Sequence, residues 1–536
     1  MGVINWVFGK SIAKEVNKQV KHIMSNFKYE VPGKEQTLSQ LVNFRQSEYR
    51  TWASGNPIDL LKFYSTYSIT PGEMSAGSRQ LFWEWVRGVN TVPKLHYPAA
   101  EMIMNQMKSL LFAEDLDLYV SVKGKDDEES TKKSEELTKV LTEILEANNH
   151  NEKYQTASMY ETYSGSVAFR PIFRSDLSDY PIMLPYPAEK VSLRTELGMI
   201  QEIIFIDTYH YKDKKYTLRS KYGRGYITYE LTDDKGNRVP VTTVPDLQNG
   251  YEDVVFMKDG KPLPILMAVF KKNRSNSNEF EGTEYGGSDF EGLMDTFNLI
   301  DEIYSQKNLY VRRTRPIMSI SERLLKVDKN GNEIIPNEYE TDLLVTRGDE
   351  KTTEDGKVHR DIPDFNPQPY DESIKQELKT CWMKIGMAYT TVGLEAHSAN
   401  ISGAALEIKE KSSVIVRSNK IKLWQKALKD IYRLMLIYNS LKQASMVKIE
   451  EQVQYTIADT FDHDYIVNFP TYNNQTFEER IQEAQKALGT VYDYEQAVRH
   501  GLKYSGYSEE DIQEIVKNIK IEQGIALIGD QLGATE

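Results

Sequence analysis

The chain holds one cysteine, Cys381, which excludes an internal disulfide and a multi-cysteine zinc site and suits a reducing compartment. It also lacks a long apolar run. The longest, Pro262 to Phe270, falls far short of the roughly 20 residues of a membrane helix and ends at Lys271 and Lys272. At the N-terminus the run Val3 to Phe8 is too short for a signal peptide. Gly2 is followed by Trp6 where an acylation pattern needs Ser or Thr, so an intracellular protein is expected. Positive charge is in deficit: 66 Lys and Arg against 79 Asp and Glu leave −13, which disfavours wholesale adhesion to nucleic acid or anionic lipid.

Motifs of catalysis are missing too. Gly9-Lys10-Ser11 resembles the end of a P-loop, but the glycine needed five residues earlier is Ile4. Asp328 to Asn332 resembles half a calcium loop, but its first ligand position holds Lys326, and Asn330-Gly331 reads better as a hairpin turn. In Asp462-His463-Asp464 a strand would send the histidine and the acids to opposite faces, so a solvated turn or strand start is expected. No catalytic residue, metal ligand or cofactor site is assigned, although a triad assembled from distant positions would leave no local trace.

What remains is an ordinary soluble composition, 40% hydrophobic and 27% charged over 536 residues, enough for roughly three to four domains. Tyrosine is abundant, at 33. Helical periodicity marks Val7 to Ile23, Thr37 to Trp52, Ser78 to Arg87 and Pro98 to Phe112. Asp126 to Ser134 reads as a charged linker, and Glu135 to Asn148 as an amphipathic helix with Leu137, Val140, Leu141, Ile144 and Leu145 inward. From Ser166 to Phe270 short apolar runs alternate with turns, including Asp234 to Asn237 and Lys258 to Lys261, which predicts antiparallel β-structure.

A glycine-rich bend, Gly282 to Gly287, precedes a predicted helix from Ser288 to Val311, with Ser288 and Glu291 as a capping box. Short strands are expected over Arg312 to Tyr370, then a helix over Glu372 to Ala388 and a break over Tyr389 to Ser402. Gly403 to Lys442 follows with Ile421, Trp424, Leu428, Ile431, Met435 and Tyr438 in alternating steps of three and four. Forty helical residues would span about 60 Å, which suits a rod crossing an assembly or a long core helix. A strand over Tyr465 to Phe469 and helices over Phe477 to Leu488, Tyr494 to His500 and Ser508 to Gln523 end the chain.

This order resembles the portal proteins, the head–tail connector rings of tailed bacteriophages. Tyr97-Pro98-Ala99-Ala100-Glu101-Met102-Ile103 through Leu110-Leu111-Phe112 is similar to the family's N-terminal helix leading into a strand. Asn148-Asn149 through Tyr163-Ser164-Gly165-Ser166-Val167-Ala168 is similar to its helix–glycine–strand passage, with Pro185, Pro187 and Val191 in the strands beyond. Ser288 to Val311, the β-rich insert, Glu372 to Ala388, the break and Ser402-Gly403-Ala404-Ala405-Leu406 follow the family's order of stem, clip, stem, tunnel loop and long helix. The set covers roughly residues 95 to 520, and the first ~90 residues match nothing in it.

The resemblance implies an α+β fold, mainly helical, with wing, stem, clip and crown regions assembling as a ring around a central channel. It implies a wing over 1–285, a first stem helix over 286–311, a clip over 312–370, a second stem helix over 371–388, a tunnel loop over 389–402, a long wing helix and following strand over 403–455, and a crown over 456–536. It implies no enzyme activity. The ring, of about twelve copies, would sit at one capsid vertex and pass double-stranded DNA in packaging and ejection. Its partners would be itself, the DNA, the terminase large subunit, the head–tail adaptor, and the major capsid and scaffolding proteins, with no membrane. The place would be the virion, after assembly in the host cytoplasm.

Twelve helices at about 10 Å spacing enclose a bore of roughly 27 Å, wide enough for a duplex. The tunnel loop would line it with Thr391, Val392, Gly393, Leu394, Glu395, Ala396 and His397. Lys375, Lys379 and Lys384, with Arg312, Arg313 and Arg315, would contact DNA or a neighbouring copy, for instance at Asp301 or Glu302; cations at a helix C-terminus also have a dipole explanation. Residues 403–442 are net +6, 312–329 net +4, 330–370 net −6 and 456–536 net −9, suggesting a mixed clip and an acidic crown. Another phage structural, adaptor or scaffold-associated protein shares this composition, and a nucleic-acid-processing enzyme would need the nucleotide or metal signatures that fail above.

Overall fold

The computed structural model describes residues 38–67, 82–83, 94–122, 128–248, 250–274, 283–314, 317–321, 326–327, 333–334, 342–346, 359–361, 366–389, 391–394, 403–449 and 452–470. The chain divides into two compact units, Met1–Phe469 and Pro470–Glu536. The predicted helices before residue 38 and after residue 470 lie outside the described residues, as does nearly all of Ser78 to Arg87.

The fold mixes helix and sheet. Helices α1 (Leu38–Ser54), α2 (Pro57–Tyr67) and α3 (Ala99–Phe112) lead to strand β1 (Asp117–Ser121) and helices α4 (Glu128–Ala147) and α5 (His150–Ser164). Strands β2 (Ser166–Ile172), β3 (Ile182–Pro187), β4 (Val191–Glu196), β5 (Met199–Tyr211), β6 (Lys214–Tyr222), β7 (Tyr226–Thr232), β8 (Arg238–Val239), β9 (Asp253–Lys258), β10 (Lys261–Pro262) and β11 (Val269–Lys272) follow. Helix α6 (Met294–Arg313) precedes short strands β12 (Ile317–Ser321), β13 (Lys326–Val327), β14 (Glu333–Ile334), β15 (Asp342–Thr346) and β16 (His359–Asp361). Helices α7 (Gln368–Lys384) and α8 (Gly403–Ser440) and strands β17 (Ser445–Ile449), β18 (Gln452–Thr456) and β19 (Asp464–Asn468) complete the first unit.

The antiparallel region expected over Ser166 to Phe270 forms. In β6, Tyr216, Leu218, Ser220 and Tyr222 are buried while Thr217, Arg219 and Lys221 point outward. A nine-stranded sheet runs β17-β18-β9-β7-β6-β5-β4, with β10 beside β9 and β8 beside β7. A second sheet has the order β11-β2-β3, and β1 pairs β19. The expected hairpin around Asn330-Gly331 is present as β13 against β14, with its turn outside the described residues.

Helix α8 passes through the main core. From Trp424 onward Ala427, Leu428, Ile431, Tyr432, Leu434, Met435, Leu436, Ile437 and Tyr438 are all buried, while Lys426, Lys429 and Asp430 stay exposed, so a broad apolar face of this half lies in the core and a charged edge meets solvent. Trp424 packs edge-on to Phe112, with ring centroids 4.7 Å apart, and also touches Tyr154 and Phe169. The long-core-helix reading therefore holds for the second half, while Val414, Ile415 and Leu423 of the first half are exposed.

Three boundaries differ from expectation, one of them the helix placed over Glu372 to Ala388, which runs Gln368–Lys384. The segment 126–134 is not all linker, because α4 already starts at Glu128. The helix expected at Ser288 starts at Met294. Ser288 donates its hydroxyl to the Tyr163 and Thr162 carbonyls at the end of α5 and accepts the Phe290 N–H at 2.9 Å, so it caps a tight turn. Glu291 pairs with Arg274 at 2.6 Å, and Gly292 adopts a φ of 74°, which interrupts helical geometry.

Candidate functional site

The candidate site is the α6–α7 pair with the break behind it. The two helices lie antiparallel. At one end Lys307 of α6 pairs with Asp371 of α7, the Tyr310 and Tyr370 rings stand 5.6 Å apart, and the Tyr310 hydroxyl accepts the Asn366 N–H. At the other end Lys384 lies against Gly292. Between the two, α6 buries Met294, Phe297 and Ile300, and α7 buries Ile374, Leu378, Cys381 and Trp382. Burial pushes the Cys381 thiol up to about 12, with a contribution from Glu377. The chain between the helices forms a small sheet in the order β15-β12-β16, with β12 parallel to β15 and antiparallel to β16.

Helix α7 ends in a Schellman closure. The Met387 N–H reaches Trp382 O at 2.9 Å, the Gly386 N–H reaches Met383 O at 3.0 Å, and Gly386 takes the left-handed conformation. Met387 then buries itself. The following turn is fastened to α8: the Ala388 N–H donates to Ser413 Oγ at 2.9 Å, and Thr391 Oγ1 lies 2.9 Å from the same oxygen. The Leu394 N–H closes on Tyr389 O at 3.0 Å, and Gly393, left-handed at φ 70°, has open space around it. Thr391, Val392 and Leu394 are half-buried and Gly393 is exposed, whereas Glu395, Ala396 and His397 lie outside the described residues.

The cations separate by environment. Lys375 and Lys384 are exposed, while Lys379 on the Lys375 face is half-buried with its ammonium 5.1 Å from the Tyr389 ring centroid. Arg312 is exposed in the last turn of α6, Arg313 is the last residue of that helix, and Arg315 lies outside the described residues. At the end of α6 the Tyr310 carbonyl is satisfied by the N–H and hydroxyl of Thr314.

Asp301 is not available to a lysine of another copy. Its carboxylate is buried and accepts Trp83 Nε1–H at 2.9 Å, the Tyr97 N–H at 2.7 Å and a contact from His96 Nδ1 at 2.9 Å. Burial raises its pKa, and these three partners oppose the rise. Glu302, half-buried, accepts a hydrogen bond from Gln306 at 3.1 Å. The N-terminal segment, which matched nothing in the resemblance, thus packs on α6. Ser305 Oγ accepts the Leu95 N–H, Trp52 lies tilted against Phe297, and Tyr49 meets Phe290 edge-on in the turn before α6.

A second buried polar group was invisible in the sequence. Glu161 of α5 pairs with Lys271 of β11, and both are buried. Trp424 donates its indole N–H to Glu161 at 2.8 Å, and the Lys271 ammonium lies 4.4 Å from the Trp424 ring centroid. Next to it Lys420 of α8 pairs with Asp289 at 2.8 Å and bonds Asn273, whose amide donates to Gly287 O. This network fastens the front half of α8 to α5, β11 and the turn that leads into α6. Each buried charge is offset by an opposite charge together with the hydrogen bonds of Trp424 and Asn273, and no local pattern signals it.

Among the described residues no group of three or more His, Cys, Asp or Glu side chains is placed to hold a metal ion, and no helix is long and apolar enough to cross a membrane. Asp464 of Asp462-His463-Asp464 opens β19, as expected of a strand start.

No protein-family model matches the chain. No curated protein matches it in sequence. Among solved structures it is similar to a chain described as the neck of an empty GTA particle computed with C6 symmetry, at 10% identity and a TM-score of 0.38, over 76% of this chain and 90% of that one.

Proposed function

We propose that this chain is a portal protein: about twelve copies close into a ring at one capsid vertex, and double-stranded DNA passes through the ring in packaging and ejection. The observation that carries the reading is the antiparallel pairing of α6 and α7 around a small inserted β-module, followed by a glycine-closed break and the long helix α8. This is the stem, clip, stem, tunnel-loop and long-helix order of the family resemblance. The role is structural, with the terminase large subunit docking first and the head–tail adaptor later, and with the major capsid and scaffolding proteins around the ring. Within the reading, Thr391 to His397 line the narrow part of the channel with small or weakly charged groups that touch DNA without gripping its phosphates. Lys375, Lys384 and Arg312 face the lumen or a neighbouring copy.

Single-particle imaging of the purified protein under assembly conditions is the test. A ring with a central hole of roughly 27 Å is expected from helices packed at about 10 Å. A solid, pore-free particle would overturn the proposal.

A further inference from the structure

The β5–β6 hairpin carries a concentration of positive charge that the reading above does not use. Over residues 209–224 four lysines and two arginines face one aspartate, a net +5 in a chain of net −13. At the inner end Lys221 pairs with Glu230 at 2.6 Å, which Arg238 of β8 also approaches, at 3.3 Å. At the tip no ion pair is present among the described residues. His210, Lys212, Lys214 and Lys215 are all exposed, and the one acid there is Asp213. The neighbouring segment 230–238 carries Glu230, Asp233 and Asp234 against Lys235 and Arg238, a net −1 that leaves the two segments together at +4. Asp233 is occupied in holding that turn, accepting the Lys235 and Asn237 N–H groups.

The tip is built to be held out stiffly. Lys212 and Asp213 have φ of 49° and 58°, the two left-handed residues of a type I′ turn, whose twist matches the flanking strands. Tyr211 faces Lys214 and His210 faces Lys215 in register. Behind them Tyr216, Leu218, Leu231, Val244 and Leu247 form a small core of their own, with Tyr209, Tyr211 and Tyr251 packed against it. The Lys212 ammonium lies 5.0 Å from the Tyr211 ring centroid.

We propose that this hairpin is a binding surface for the phosphate backbone of duplex DNA, read without regard to sequence. The chemistry selects the partner. An exposed ammonium facing a carboxylate is worth about 0–1 kcal/mol, so an acidic protein would need a shaped recess as well. A phosphate backbone rewards bare amines through counterion release, with a charge every ~1.7 Å of duplex and a major groove that admits a two-stranded ribbon. The surface is separate from the α6–α7 pair and does not depend on ring closure.

The test uses the full chain and a fluorescein-labelled mixed-sequence duplex of about 25 base pairs, followed by anisotropy. Three neutralised phosphates predict a log–log salt slope of about −2.7, or roughly 40-fold weaker binding between 50 and 200 mM salt. Reversing the tip with Lys212→Glu, Lys214→Glu and Lys215→Glu should weaken binding at least ~30-fold. The same three changed to Arg should keep it, and Lys132→Glu, Lys139→Glu, Lys429→Glu elsewhere should leave it within about twofold. Thermal melting of each variant controls for folding; if the reversed variant melts early, neutralising the same positions to Gln supplies the comparison. No binding by the unaltered protein at low salt overturns the proposal. So does a well-folded tip variant that binds normally, or equal competition by polyglutamate. Ring formation is scored separately by imaging, so failure here and failure of the portal reading are distinguishable.

Discussion

Replacing Lys271 by Met tests the buried network most directly. The side chain keeps its length and loses the charge that faces Glu161, whose carboxylate stays shielded from water in α5 with the Trp424 indole N–H at 2.8 Å still in place. Removing one partner of a buried ion pair costs about 3–5 kcal/mol, because the remaining charge is left unpaired. Adding Glu161→Gln removes that charge and keeps an acceptor for Trp424, so the double variant should return to within about 1 kcal/mol of the starting protein. Urea unfolding followed by tryptophan fluorescence and far-ultraviolet circular dichroism is the assay. With a slope of about 3 kcal/mol per molar, the single variant's midpoint should fall by roughly 1 to 1.7 M and the double variant's should recover. A single variant within 1 kcal/mol of the original, or a double variant no better than the single, would refute the assignment of this pair as a coupled, desolvated unit.

Other outcomes follow from the same geometry. Cys381, with its thiol raised by burial to about 12, should resist iodoacetamide in the folded protein at about pH 8 and react once urea opens the α6–α7 interface. Equal rates in both states would argue against that packing. Gly165→Ala should cost about 3 kcal/mol or more, since the residue is left-handed and a Cβ would collide with Gly286 O, while Gly260→Ala, left-handed in open space, should cost only about 1–2. Thermal or urea midpoints compare the two, and equal losses would remove the close-approach argument. Deleting Val392 to Ala396 should leave rings assembled and impair DNA packaging or retention; normal packaging by such rings would remove the tunnel-loop assignment.

Much of the architecture was legible because it follows local periods. The 3.6-residue rhythm of Leu137 to Leu145 and Trp424 to Tyr438 placed α4 and α8, and Leu141, Ile144 and the Trp424 face are buried as that rhythm requires. Short apolar runs marked β2, β5 and β7, and glycine-bearing turns marked the β7–β8 and β9–β10 connections, whereas β6, entered through the glycine-free Lys212-Asp213 turn, left no such mark. The candidate site was legible as an order of elements and opaque in its contacts. Lys375 and Lys379 share a helix face, yet only the fold lays Lys379 over Tyr389. Ser288 had every local mark of a helix cap, yet its hydroxyl is taken by carbonyls of α5 more than a hundred residues earlier, and α6 starts at Met294.

The sequence by itself settled which segments are amphipathic, which turns need glycine, and that no disulfide can close within the chain, because each of these depends on residue type and near neighbours. Only the tertiary structure decided that β18 runs parallel to β9, that Asp301 is enclosed by Trp83, His96 and Tyr97, and that Glu161 meets Lys271. The physical reason is common to all three. The free energy of a strand edge or a charge is set by what replaces water around it, and here those replacements come from positions about 110 to 220 residues away along the chain.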